Sequence, residues 1–202
     1  MTSGPAPSSS AIVTIPNLVS FVRLLLIPVF LWLLVGADRV AAAGWLLGVI
    51  GATDWVDGYL ARRLGQVSEV GKVLDPLADR LAVAAAVIGG LVAGALPGWF
   101  AWAMIVRETL VAAGAIYLGA KVGRQLAVRR LGKLATLLLY AAVAWWFIGV
   151  GTPIAWLERV AMIVAVPGLI LYYIVAFQYI QDARALLAKG SAAGAVGTLG
   201  EP

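Results

Sequence analysis

Apolar segments of about 20 residues, the length that crosses a hydrocarbon core, recur along this chain with only short charged gaps between them. That pattern dictates the fold class. In lipid, every backbone N–H and C=O must find its partner inside the segment, so segments of this kind are helices. Composition agrees: 62% of the 202 residues are hydrophobic, 12% are charged and eight are Trp. An average soluble chain carries about 25% charged residues.

Six transmembrane helices are predicted, at about 17–35, 40–60, 72–95, 99–120, 131–150 and 156–180, with boundaries good to roughly four residues. Asn17, directly before an apolar run, reads as the N-cap of the first. Residues 1–13 (MTSGPAPSSSAIV) are small, polar and Pro-bearing and are expected to be disordered. They are not read as a signal peptide, because no Lys or Arg precedes the first apolar segment. The Gly- and Ala-rich tail, 186–202, is also expected to be disordered. Between them, 14–185 reads as one all-α integral membrane domain with six helices, no dividing linker and no internal repeat.

Lys and Arg in the gaps set the expected orientation. Arg62 and Arg63 lie between the second and third spans, with Lys72 at the loop's end; Lys121, Arg124, Arg129 and Arg130 lie at the loop between the fourth and fifth, with Lys133 beside it; Arg184 and Lys189 follow the sixth. The opposite side offers Arg39 and Arg159, each beside an acid. Both termini and both basic loops are therefore expected in the cytoplasm. Trp45, Trp99, Trp102, Trp145, Trp146 and Trp156 fall toward the other side, where an aromatic belt is expected.

Against this apolar background, four of the ten acidic residues are Asp54, Asp57, Asp75 and Asp79, at the cytoplasmic ends of the second and third spans. A carboxylate at the bilayer centre costs on the order of 3 kcal/mol on insertion scales. Acids gathered in such a setting need compensation, and a divalent cation with a preference for hard oxygen ligands supplies it. Spacings of three and four keep each pair on one helical face. Two adjacent antiparallel helices could present all four carboxylates to one or two Mg²⁺ or Mn²⁺ ions, a polar metal site near the cytoplasmic interface. Such ions neutralise charge on a transferring phosphoryl group. The chain has no His and no Cys, which removes imidazole bases, thiolate nucleophiles and the usual zinc ligands. A carboxylate is then the best candidate base. Gly58 and Ala61 leave room for a ligand against the helix, Arg62 and Arg63 can pair with phosphates, and Gly71 eases the approach to the third span.

The stretch DWVDGYLARRLGQVSEVGKVLDPLADR resembles the CDP-alcohol phosphotransferase signature, D-x2-D-G-x2-A-R-x8-G-x3-D-x3-D. It matches at every fixed position: Asp54, Asp57, Gly58, Ala61, Arg62, Gly71, Asp75 and Asp79. TIPNLVSFVRLLLIPVF, Arg107-Glu108 and the GKLAT segment (132–136) are similar to the phosphatidylglycerophosphate synthase and cardiolipin synthase branch. The resemblance implies an integral membrane enzyme that moves a phosphatidyl group from CDP-diacylglycerol to an alcohol and releases CMP. It implies metal ligands at Asp54, Asp57 and Asp75 with Asp79 nearby, and Asp79 as base on the acceptor hydroxyl. Asp54, Asp57, Gly58, Ala61, Arg62 and Gly71 would form the CDP site. Arg107, Arg124, Arg129, Arg130 and Lys133 are the candidates for holding the acceptor, either glycerol 3-phosphate or phosphatidylglycerol, with the basic loop favouring the phosphorylated one. The partners it implies are membrane lipid of a bacterial plasma membrane and a second copy in a homodimer, not nucleic acid.

Other readings of these residues stay open. The aspartates could form a structural ion-pair cluster with Arg62, Arg63 and Arg80, or a proton or ion path in a small transporter; a non-catalytic scaffold is a third. The basic residues could contact anionic lipid only. Arg23, nearly two turns into the first span, either snorkels to the interface or reaches phosphate. Arg107 and Glu108, being adjacent, point to different sides of the helix and need not pair. Tyr172, Tyr173 and Tyr179 are candidates for lining a lipid groove.

Overall fold

The computed structural model describes residues 15–64, 69–122 and 130–197, and every regular element among them is helical. They form α1 (Ile15–Leu31), extended by a π-helical turn Trp32–Gly36, then α2 (Val40–Leu64), α3 (Glu69–Val92), α4 (Gly98–Val122), α5 (Arg130–Val150) and α6 (Ala155–Gly197). Each expected span has its helix. Among the described residues, three stretches are long and apolar enough to cross a membrane: Asn17–Gly36, Leu131–Val150 and Trp156–Asp182. Among the described residues the apolar stretch of α2 is Val40–Thr53, and the signature residues follow it in the sequence. Asp75, Asp79 and Arg80 interrupt α3, and Arg107-Glu108 interrupts α4.

Two sequence expectations shift at helix ends. α1 begins at Ile15, so Asn17 lies inside its first turn and is buried rather than capping it. Past 185, where disorder was expected, α6 continues to Gly197. That segment (ALLAKGSAAGAVG) is rich in Ala, the best helix former.

The contacts divide the chain into two compact units. The first comprises residues 1–101 and 140–162, which bring together α1, α2, α3, the second half of α5 and the start of α6. α1 packs on α2 and α3 through faces that repeat every three or four residues: Ile27, Phe30 and Leu34; Ala43, Leu47 and Ile50; Ala78, Ala82 and Ala86. That spacing places each triplet on one side of its helix. Gly44 lets α2 meet α5 backbone to backbone, since a Cβ there would lie 2.8 Å from both Ala144 O and Ile148 N. Such small-residue contacts are the usual means of close helix packing in membranes. α3 ends in a left-handed glycine, Gly94 (φ +64°), with Ala95 N–H donating to Gly90 O at 2.9 Å, the arrangement that satisfies orphan carbonyls at a helix end. Trp146 departs from the expected belt: it is buried in this unit and stacks on Phe100 at 6.0 Å between centroids. Its neighbour Trp145, and Trp45, Trp99, Trp102 and Trp156, are exposed.

The second unit comprises residues 102–139 and 163–202, holding most of α4, the first part of α5 and the rest of α6. α5 and α6 approach through Gly168, whose Cβ would lie 3.2 Å from Leu138 and Leu139 side-chain atoms, and through Gly132, 3.4 Å from Val175. In both units the polarity is that of a protein in lipid. Leu18, Phe21, Leu25, Ile116, Ile163 and Phe177 are exposed, whereas Asn17, Ser20, Arg23 and Arg107 are buried. The chain is a membrane protein by these helices and faces.

Candidate active site

The signature motif occupies the end of α2 and the beginning of α3. Asp57 lies seven residues before the last residue of α2 and Asp75 six residues after the first of α3, while Asp54 and Asp79 each lie ten residues in. At 1.5 Å per residue these are depths of about 10 Å and about 15 Å on each helix. Only 65–68 connect the two helices, a link that reaches roughly 18 Å at most. Each helix is about 37 Å long, so the joined ends must be neighbours. The backbone therefore puts the four positions at matched depths in two pairs. The side chains of Asp54, Asp57, Gly58, Ala61, Arg62 and Asp75 lie outside the described residues, as do Arg124 and Arg129 altogether and the side chain of Arg130. Among the described residues no three acidic side chains gather at one point. Gly71 is buried in the first turn of α3.

Asp79 is the signature carboxylate that the structure describes in full. Its side chain is 44% exposed, and its Oδ1 accepts a hydrogen bond from Nη1 of Arg23 on α1. Arg23 is 1% exposed. It therefore does not snorkel: the guanidinium is turned into the helix packing, and its charge is met there by a carboxylate. Asn17 and Ser20, two turns and one turn earlier on the same face, are buried with it. The spacing 17, 20, 23 is the signal that sequence reading could have used: a polar stripe of i, i+3 residues in an apolar span faces protein, because lipid would penalise it.

A second polar cluster joins α4 to α6. Arg107 is buried, and its Nη1 donates to Glu108 Oε1 at 2.9 Å. Its Nε donates to the Tyr172 carbonyl at 3.4 Å, its Cζ lies 3.6 Å from the centroid of the Tyr172 ring, and the Tyr172 hydroxyl donates to Glu108 Oε1. Adjacent residues on a helix do diverge, but the long Arg side chain folds back far enough to reach Glu108, and Tyr172 closes the ring of contacts. Tyr172 thus belongs to this cluster. Tyr173, also on α6, donates its hydroxyl to Ala103 O at 2.8 Å. In the GKLAT segment at the start of α5, Lys133 is exposed, Ala135 is buried, and Thr136 Oγ1 donates to Gly132 O at 2.9 Å.

An all-helical membrane chain with a carboxylate-rich signature at one helix junction belongs to a definable class. Residues 13–174 match the family model for CDP-alcohol phosphatidyltransferases, and the chain belongs to that family. It is 34% identical over 185 residues to a Streptomyces coelicolor protein named cardiolipin synthase (CMP-forming), covering 79% of this chain and 85% of that one. It is 35% identical over 182 residues to the CDP-diacylglycerol–glycerol-3-phosphate 3-phosphatidyltransferase of Shigella flexneri, covering 85% and 95%. A Mycobacterium tuberculosis relative is 36% identical over 136 residues, and the chain spans 63% of its length.

Proposed function

We propose that this chain transfers a phosphatidyl group from CDP-diacylglycerol to a glycerol-type acceptor, releasing CMP, with glycerol 3-phosphate as acceptor and phosphatidylglycerophosphate as product. The observation that carries this reading is the complete signature placed at matched depths on α2 and α3, with the Asp79 carboxylate exposed enough to meet a substrate. Family membership and the names of the Shigella and Streptomyces relatives support the donor and the released nucleotide.

In this reading Asp54, Asp57, Asp75 and Asp79 are the residues that hold divalent metal. A set of carboxylates only, with no His or Cys in the chain, fits Mg²⁺ or Mn²⁺ rather than a softer ion. Bound there, the metal supplies charge neutralisation for the diphosphate. Asp54, Asp57, Gly58, Ala61, Arg62 and Gly71 seat the CDP moiety, the small residues giving close approach to the helix backbone. Asp79 accepts the proton of the acceptor hydroxyl. The acceptor oxygen forms a bond to the lipid-side phosphorus, the bond from that phosphorus to the CMP oxygen breaks, and CMP leaves with the electron pair. Arg124, Arg129, Arg130 and Lys133 hold the acceptor's phosphate. Arg107 was a further candidate for that task, but its guanidinium is engaged by Glu108 and Tyr172, so we assign it to the packing of α4 against α6.

The same reading has all six helices crossing a bacterial plasma membrane within a domain of residues 14–185, with the signature end and both termini cytoplasmic and the chain acting as a homodimer. The positive-inside bias supports that orientation. The second reading, phosphatidylglycerol as acceptor and cardiolipin as product, is favoured by the Streptomyces relative and by the occupied state of Arg107. CMP release by purified protein with CDP-diacylglycerol and metal, offered each acceptor in turn, separates them. Release with glycerol 3-phosphate alone supports the first reading, and release with phosphatidylglycerol alone supports the second. Release with neither, alongside ion flux in liposomes, would make the acids a transport path.

A further inference from the structure

We propose that Arg23 is a positioning residue for the transfer reaction: buried in α1, it fixes the Asp79 carboxylate in the orientation that takes the acceptor's proton. The inference rests on the proposed function and extends it to a residue outside the signature. Its first support is an asymmetry of exposure. Arg23 is 1% exposed and Asp79 44% exposed, yet Nη1 and Oδ1 meet. One partner is held in the helix packing while the other keeps an exposed face. A carboxylate on a helix surface turns freely about two side-chain torsions. A bond to a guanidinium that cannot move removes that freedom before substrate arrives, and pre-organised geometry of this kind is a large part of catalytic rate.

The second support is that stability alone gives no reason for the pair. The buried face of α1 reads Asn17, Ser20, Arg23 and then Ile27, Phe30, Leu34. Its second half shows what this face packs with when only packing matters. Replacing a buried ion pair by apolar residues of similar volume is often neutral or stabilising, and an Arg within a spanning helix is costly. Arg23, in the polar half, is the residue that meets Asp79. Arginine also suits the task chemically. Its guanidinium stays protonated throughout and only donates, so it does not compete with Asp79 for the acceptor's proton.

The test uses the full chain in detergent or nanodiscs, with Arg23→Met, Arg23→Lys, Asp79→Asn and the double variant Arg23→Met/Asp79→Asn. A misplaced catalytic group costs on the order of 10²-fold, and kcat of Arg23→Met is expected to fall by about that factor while KM for donor and acceptor stays within about 3-fold. Arg23→Lys restores about 10-fold of the loss, since an ammonium keeps the charge but not the planar fork. The double variant is no slower than Asp79→Asn alone, as expected of residues acting as one unit. CDP binding measured by calorimetry, without turnover, is unchanged in Arg23→Met. The inference is overturned if Arg23→Met keeps wild-type kcat, if CDP affinity falls in step with kcat, which would make Arg23 a phosphate contact, or if the double variant is slower than Asp79→Asn. If Arg23→Met does not fold, Arg23→Lys decides on its own: wild-type kcat, or a loss carried in KM, overturns the role. A wild-type chain that binds CDP but releases no CMP with either acceptor sinks the proposed function, and this role with it. That result is distinct from an active wild type matched by its Arg23 variants.

Discussion

Among the described residues two arginines are buried, Arg23 on α1 and Arg107 on α4, and their surroundings differ. Arg23 on α1 meets Asp79 of α3, whose carboxylate is 44% exposed. Arg107 on α4 meets Glu108 of its own helix and both the ring and the carbonyl of Tyr172 on α6, and the Tyr172 hydroxyl closes onto the same carboxylate oxygen. The first arrangement leaves partly exposed a carboxylate that the proposed function puts at the reacting hydroxyl. The second folds charge, ring and hydroxyl in on themselves. A buried charge is paired in either case because an unpaired one is prohibitive, so pairing by itself carries no functional message. What differs is the set of groups that meets the carboxylate: a guanidinium from another helix at Asp79, and a guanidinium together with the Tyr172 hydroxyl at Glu108.

The sharpest way to break this comparison is to neutralise each carboxylate. Asp79→Asn removes a negative charge and a proton acceptor with almost no change in shape. Loss of a general base costs typically 10²–10⁴-fold, so CMP release should fall by about 10³-fold while the unfolding temperature stays within a few degrees. Glu108→Gln should show the reverse: a lowered unfolding temperature, with turnover per folded molecule within about 3-fold of wild type, because the charge that strengthens the contacts from Arg107 and Tyr172 is lost. If Glu108→Gln were as inactive as Asp79→Asn, the second cluster would have to be part of the active site. Chelation of divalent metal belongs to the same test. It should abolish CMP release in the wild type and leave unfolding of the α4–α6 cluster untouched.

Substituting the second arginine comes next in size. Arg107→Met keeps the length and apolar stem but takes the guanidinium away from Glu108, about a third exposed at 32%. Breaking a buried pair costs about 3–5 kcal/mol; discounting for the solvent that reaches Glu108 brings the expected loss to roughly 2 kcal/mol. The acceptor KM should not move. A rise in KM for glycerol 3-phosphate of about 10-fold or more, without loss of stability, would return Arg107 to the acceptor site.

The sequence and the structure part company along the same line. Helix number and positions were legible because apolar periodicity and span length are local properties: all six expected spans have their helix. The signature was legible because eight residues at fixed spacing carry it. What could not be read was tertiary pairing. Arg107 and Glu108 diverge on a helical wheel, and only the position of Tyr172, 64 residues beyond Glu108, makes their contact favourable. Arg23 and Asp79 are 56 residues apart, and nothing local to either names the other. Trp146 likewise left the expected belt because Phe100 lies where it can stack. The helix from 186 to Gly197 was missed for the opposite reason: its Gly residues outweighed its alanines in a composition argument.

Packing at Gly44 tests the first unit without touching charge. A methyl group there would lie 2.8 Å from the Ala144 carbonyl oxygen and the Ile148 nitrogen. Both are backbone atoms of α5, which cannot yield as a flexible side chain can. Overpacking of this kind costs about 1–3 kcal/mol, so Gly44→Ala should lower the unfolding temperature measurably. At low temperature, where the variant is fully folded, kcat should fall far less than in Arg23→Met, since the Arg23–Asp79 pair lies on α1 and α3. Equal stability of the variant would mean that α2 and α5 can separate at little cost.

The smallest effect should come from Tyr172→Phe, and it divides the second cluster into its parts. The substitution removes the hydroxyl that donates to Glu108 Oε1 and keeps the ring beneath the Arg107 guanidinium. The lost hydrogen bond, one of at least two on that carboxylate oxygen, is worth about 1 kcal/mol net. The cation–π contact, worth about 1–2 kcal/mol when desolvated, remains. Tyr172→Phe should therefore be more stable than Tyr172→Leu, which loses both. The hydroxyl and Arg107 converge on one oxygen, so the two substitutions should not add: in an Arg107→Met background, Tyr172→Phe should cost more than it does alone, because both of these donors to that oxygen are then gone. A double-mutant cycle on unfolding free energy reads that coupling directly. Additive losses would mean that the two donors act on Glu108 independently, and the α4–α6 contact would then be a sum of separate bonds rather than one closed network.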